Sequence, residues 1–121
     1  KEVVRRYTPL LEPFGLTYTQ YIAMMVLWEH KSISVKEMGK RLYLDSGTLT
    51  PMLKKMEHSG WLCRKRSDND ERVVVISITD AGEALQERVA EVPIKMAQCV
   101  KLESDEALQL YVLLNKMMKT F

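Results

Sequence analysis

The sequence predicts a mainly helical fold that carries one small β-hairpin. Three observations predict it. Apolar residues recur at helical spacing over most of the chain, the pattern changes to alternation only after Gly60, and the two alternating runs are separated by SDNDE, a string of turn formers.

The elements follow in order. Residues 2–12 read as the end of a helix whose apolar positions are Val3, Val4, Tyr7, Leu10 and Leu11; Pro13 and Gly15 stop it. The chain starts at Lys1 inside this amphipathic pattern, so an N-terminal part of the first helix is expected upstream. LTYTQYIAMMVLWEH gives a second helix over 18–30, apolar nearly all round and therefore buried, with His30 solvated at its polar end. KSISV is short and β-prone, and SVKEMGKRLY is a helix over 34–43. The next helix is DSGTLTPMLKKMEHSG, residues 45–60, closed by Gly60 as a left-handed cap. Strands are expected at 61–67 and 72–79. Asp80 and Glu83 have the spacing of an acidic capping box that opens a helix to Gln98, kinked at Pro93. Ser104, Asp105 and Glu106 cap a last helix over 105–120.

A chain of 121 residues favours one domain, and its 46% hydrophobic content suffices for a core. No apolar run approaches the ~20 residues that span a membrane; the longest is Tyr21 to Trp28. Two cysteines, Cys63 and Cys99, match no zinc spacing, and a reducing cytoplasmic setting is expected. No metal or cofactor is expected, and no nucleophile–base set or phosphate loop argues for an enzyme. The net charge of +2 is unevenly spread: residues 1–66 carry 12 basic against 6 acidic residues, and residues 67–121 carry 6 against 10. That asymmetry predicts a basic working face.

Helix, short turn, helix and basic hairpin make a winged helix-turn-helix, with the DNA-binding lobe at about 19–79. Residues 1–14 and 80–121 supply helices with more apolar surface than a monomer can cover, hence a homodimer. In this arrangement the second helix enters the major groove N-terminal end first. That explains why a helix should begin with Gly, two Thr and a Pro, all poor in helix interiors. Gly47 lets the backbone approach, while Ser46, Thr48 and Thr50 offer short hydroxyls to phosphates and bases. Pro51 is harmless if the first turn begins at Thr48, and costs a hydrogen bond if it begins at Ser46. Lys54 and Lys55 would neutralise phosphates, and Leu49, Leu53 and Met56 would face the core. In the hairpin, Arg64, Lys65 and Arg66 precede the turn and Arg72 follows it, suited to a narrow minor groove. Asp70 is expected to orient Arg72 or Arg64.

YLDSGTLTPMLKKME followed by RKRSDNDERVVVISITDAG closely resembles the MarR family of winged-helix transcriptional regulators. LDSGTLTP and LTYTQYIAMMVLWEH look like its OhrR branch, which senses organic hydroperoxides through cysteine. The resemblance covers roughly residues 5–95 and is most specific over 42–80. It implies a homodimeric repressor on a pseudo-palindromic operator, with the 46–57 helix in the major groove and Asp70 and Arg72 in the wing. It also implies a reactive cysteine in the first helix, upstream of Lys1, whose thiolate is hydrogen-bonded by tyrosines matching Tyr7 and Tyr18. Some OhrR proteins close an intersubunit disulfide with a C-terminal cysteine, for which Cys99 is the candidate; Cys63 reads as packing. The alternative is release by a small aromatic ligand in a pocket lined by Tyr7, Tyr18, Trp28 and methionines. A third reading is a winged helix that binds an acidic protein instead of DNA.

Overall fold

The computed structural model describes residues 1–121. Helix α1 (Glu2–Leu11) runs into a 3-10 turn (Glu12–Phe14) that ends at Gly15 with φ 72°, where glycine alone is unstrained. Helix α2 (Tyr18–His30) is opened by a full capping box between Thr17 and Gln20. Strand β1 (Ser32–Ser34) leads into α3 (Val35–Leu42), α4 (Ser46–His58), β2 (Leu62–Arg66) and β3 (Val74–Ile78). Three helices follow: α5 (Asp80–Arg88), α6 (Glu91–Cys99) and α7 (Ser104–Met118).

The expected two-stranded hairpin is a three-stranded antiparallel sheet in the order β1-β3-β2. Ser32, Ile33 and Ser34 pair with Ser77, Ile76 and Val75. Three residues are too few to announce a strand by period, but the free edge of β3 recruits them. The long helix expected from Asp80 to Gln98 is broken at Val89–Ala90, and Pro93 lies in the first turn of α6. A proline ring clashes with the carbonyl four residues earlier, here that of Val89, so the break falls one turn before the proline. Two caps also differ from expectation. Thr79, not Asp80, caps α5 by accepting the Gly82 N–H at 3.1 Å. Glu103, not Ser104, is the cap residue of α7, and its N–H donates to the Glu106 carboxylate at 2.9 Å. His30 is not simply solvated: its side chain is 27% exposed and its Nε2 is buried without a hydrogen-bond partner.

The core lies between α2, the inner face of α4, the sheet and α5. Met24, Leu27, Leu49, Leu53, Met56 and Ile76 are fully buried, and Leu85, Val89 and Val92 extend the cluster into α5 and α6. Two contacts lock α5 to this lobe. The Trp28 indole N–H donates to the Gly82 carbonyl at 2.9 Å, and Lys31 pairs with Glu83 at 2.9 Å. Gly82 is required because a Cβ there would overlap the Trp61 carbonyl oxygen and lie 2.7 Å from the Ile78 side chain. Helix α7 buries none of its residues.

Candidate nucleic-acid interface

The site begins with the turn between α3 and α4. Ser34 caps α3 by accepting the Glu37 N–H at 3.0 Å. The helix ends on Tyr43, whose φ of 56° is left-handed, and the Leu44 N–H returns to the Gly39 carbonyl at 3.0 Å. A Cβ on Gly39 would stand 2.7 Å from the Leu44 carbonyl oxygen, so only glycine lets the turn close this tightly. Asp45 then caps α4: its carboxylate accepts the Thr48 N–H at 2.7 Å. That backbone donor holds the Asp45 carboxyl below its ordinary range.

Helix α4 therefore starts at Ser46, the costlier of the two starts for Pro51. Pro51 sits inside the helix, where its missing N–H leaves the Gly47 carbonyl without the partner four residues on. Leu49, Leu53 and Met56 are fully buried. Ser46, Gly47, Thr48, Pro51, Lys54 and Lys55 are exposed and Thr50 is half-buried. A Cβ on Gly47 would meet only the Asp45 carboxylate, at 3.4 Å. Nothing inside the chain demands glycine there, so the bare backbone faces outward.

The wing supplies the second part. Asp70 accepts three hydrogen bonds from Arg72: the backbone N–H at 3.0 Å, Nε at 3.1 Å and Nη2 at 3.2 Å. The guanidinium lowers the Asp70 carboxyl, yet the Arg72 side chain stays 90% exposed. Arg66 donates to the Glu71 carbonyl at 2.7 Å, which fastens the turn. Arg64 lies elsewhere than in the Asp70 clamp. Its backbone N–H reaches Glu57 at 2.9 Å and its Nε reaches Glu57 at 3.3 Å, so it ties β2 to the end of α4. The same two donors pull the Glu57 carboxyl down.

A groove of about 920 Å³ separates the start of α4 from the wing. Lys36, Lys40, Tyr43, Ser46, Thr50 and Arg72 line it, with Arg64, and no acidic residue does. Sequence reasoning missed Lys36, Lys40 and Tyr43. The i, i+4 spacing of the two lysines on a helix already placed beside the turn was the available signal.

Away from the groove lining, Tyr7 packs against Tyr18, with ring centroids 5.1 Å apart and planes tilted by 53°, and against Tyr21 at 5.7 Å. Burial, then the neighbouring phenol, raises the Tyr7 pKa, and the same holds for Tyr21. Both hydroxyls therefore stay protonated, as hydrogen-bond donors must be. A separate hollow of about 320 Å³ is lined by Tyr21, Met25, Trp28, Gln86, Val89 and Pro93, among others. Tyr7 and Tyr18 do not line it, unlike the expected ligand pocket. Cys63 is half-buried in β2 opposite Ser77, and Cys99 is exposed at the end of α6. No cluster of His, Cys, Asp and Glu is placed to hold a metal, and no helix is long and apolar enough to cross a membrane.

A family model described as transcriptional regulator SarA/Rot matches residues 5–89. The chain is 45% identical over 120 residues to the organic hydroperoxide resistance transcriptional regulator of Bacillus subtilis (strain 168), an alignment that covers 99% of this chain and 82% of that protein. Among solved structures it is similar to reduced AbfR bound to DNA, with a TM-score of 0.82 and 36% identity over 97% of this chain and 80% of that one. AbfR, a Staphylococcus epidermidis protein, in its disulfide form gives a TM-score of 0.75 at 36% identity, over 97% and 79% of the two chains.

Proposed function

The chain belongs to the SarA/Rot family of transcriptional regulators, winged-helix proteins of the MarR type, and we propose that it is a dimeric repressor that reads a pseudo-palindromic operator and leaves it when organic hydroperoxide oxidises a thiol. The observation that carries DNA reading is the exposed first turn of α4 beside a groove whose charged lining residues are all cations. Ser46, Gly47, Thr48 and Thr50 meet phosphates and base edges, and Lys54 and Lys55 follow along the helix. Arg72, oriented by Asp70, enters the minor groove, with Arg66 on the neighbouring backbone. The lobe at about 19–79 does this work, and residues 1–14 and 80–121 join two copies so that the α4 helices stand ~34–36 Å apart. The proposed place of work is the cytoplasm.

The redox step rests on the paired Tyr7 and Tyr18, which the OhrR resemblance sets against a reactive cysteine other than Cys63 and Cys99. Two hydroxyls donating to one sulfur favour its thiolate. The thiolate attacks the terminal oxygen of the hydroperoxide; an S–O bond forms, the O–O bond breaks, and the alkoxide leaves and takes a proton. The resulting sulfenic acid condenses with a second thiol, Cys99 of the other subunit or a small-molecule thiol, and water is lost.

The test is a gel shift of full-length protein on a duplex selected from random sequence, with and without an organic hydroperoxide, for the parent, Tyr7→Phe, Tyr18→Phe and Cys99→Ser. Release of the parent and slower release of the tyrosine variants are expected. A parent that stays bound under peroxide overturns the redox step and leaves release by a small aromatic ligand, for which the hollow beside Trp28 is the place to look. Identical release of Cys99→Ser, with no crosslinked dimer on a non-reducing gel, assigns the second thiol to a small molecule.

A further inference from the structure

We propose that Tyr43, in the turn between α3 and α4, donates its hydroxyl to a phosphodiester oxygen of the bound duplex; the inference rests on the DNA-reading role above and adds a contact to it. Only two residues other than glycine have positive φ, Lys31 and Tyr43. Tyr43 occupies the left-handed position that closes a helix, with φ 56° and ψ 41°. Glycine takes that position without strain, and an L side chain does not. The turn around it is tightly closed: a Cβ on Gly39 would stand 2.7 Å from the Leu44 carbonyl oxygen.

The side chain is not retained for packing. Tyr43 is 70% exposed and stands outside the core cluster and the residues packed on it. A strained backbone and an exposed aromatic ring both cost folding free energy. Such strain persists where it positions a group for function. Here it holds the ring on the wall of the cation-lined groove, three residues before Ser46 and three after Lys40. A phenol is a neutral donor. Beside Lys36, Lys40 and Arg72, and with no acidic residue in the lining, the acceptor that fits is an anionic oxygen of the nucleic-acid backbone.

Three variants read the contact: Tyr43→Phe, Tyr43→Gly and Lys40→Ala, each titrated against the selected operator and a scrambled duplex over a range of salt, with thermal unfolding alongside. Tyr43→Phe should bind about tenfold more weakly, as expected for loss of a hydrogen bond to a charged group. The loss should be equal on both duplexes, because a phosphate contact carries no sequence information. Its salt slope should match the parent, since no cation is lost, whereas Lys40→Ala should flatten the slope by about 0.9 for each lysine removed. Tyr43→Gly should bind at least as weakly as Tyr43→Phe while unfolding at the same or a higher temperature. A purely structural tyrosine gives the opposite pair, a lower midpoint with affinity intact. Parent-like binding by either tyrosine variant, or a lowered midpoint in Tyr43→Gly, overturns the assignment. If the parent itself ignores DNA, the regulator reading fails first; if the parent and Lys40→Ala behave as stated and the tyrosine variants do not, only the Tyr43 contact fails.

Discussion

Two arginines in the wing look alike in sequence and are employed differently. Arg72 is exposed and aimed by Asp70, two residues away in the same turn. Local spacing made that pairing readable. Arg64 is spent on Glu57, seven residues back across the junction of α4 and β2, and only the folded chain brings them together. Arg72→Ala should therefore weaken operator binding by about 1–3 kcal/mol, the range of one groove contact, and leave the unfolding midpoint unchanged. Arg64→Ala should lower the midpoint, because it removes a half-buried brace. Equal thermal loss in both would contradict this division. Gly82→Ala should be the most damaging small change, costing about 3 kcal/mol or more, since the methyl overlaps the Trp61 carbonyl where α5 meets the wing. Denaturant titration would show it as a midpoint shift at constant slope.

Asp45, Glu57 and Asp70 also set a pH dependence. Each carboxyl is lower in the folded chain than in the unfolded one, through backbone and side-chain donors. A lowered folded pKa means stability that is present above the unfolded value, near 4, and lost as pH falls through the folded value. The midpoint should therefore be insensitive to these three groups between about pH 5 and 8 and fall below about pH 4. Asp45→Asn should keep the cap while removing most of that acid sensitivity at the start of α4. A cap that titrates near neutrality would refute the assignment.

At the scale of elements, what was legible followed period and punctuation. Helices α2 and α4, the switch to strands after Gly60 and the buried row Leu49, Leu53 and Met56 all follow from periodicity. Strand β1 was legible only as the β-prone KSISV, because its pairing depends on the edge of β3. The split of α5 from α6 did not follow from periodicity, because a proline announces itself in sequence but breaks the helix four residues earlier. Pro51 provides a test of the same rule within α4. Pro51→Ala restores an N–H to the Gly47 carbonyl and should stabilise the fold by about 1–3 kcal/mol. A lower midpoint would show that Pro51 packs in a way its exposure denies. The groove residues Lys36, Lys40 and Tyr43 were missed because α3, α4 and the wing make that surface together.

At the scale of the molecule, the proposed assembly runs through α7. Leu108, Leu110, Tyr111, Val112, Leu113, Leu114 and Met117 are each 45–65% exposed in the single chain. Exposed apolar surface of this extent marks an interaction surface, and the proposed partner is a second copy joined by self-complementary symmetry. Leu110→Asp with Leu114→Asp should yield monomers by sedimentation and abolish tight operator binding while circular dichroism of the lobe persists. A double variant that remains dimeric would move the interface elsewhere.

If the exposed front of α4 reads DNA, as proposed, a negative charge placed there in Thr48→Asp should abolish binding. Thr48 is the third residue of α4, where an acidic side chain favours the positive end of the helix, so the fold should be as stable as the parent or more so. The measurement is fluorescence anisotropy of a selected operator duplex against parent and Thr48→Asp, from about 50 to 200 mM salt. Parent binding should be tight and fall steeply with salt, and operator binding should be lost in a well-folded Thr48→Asp, whose new charge faces phosphate. A Thr48→Asp protein that binds the operator as the parent does would contradict that role for α4.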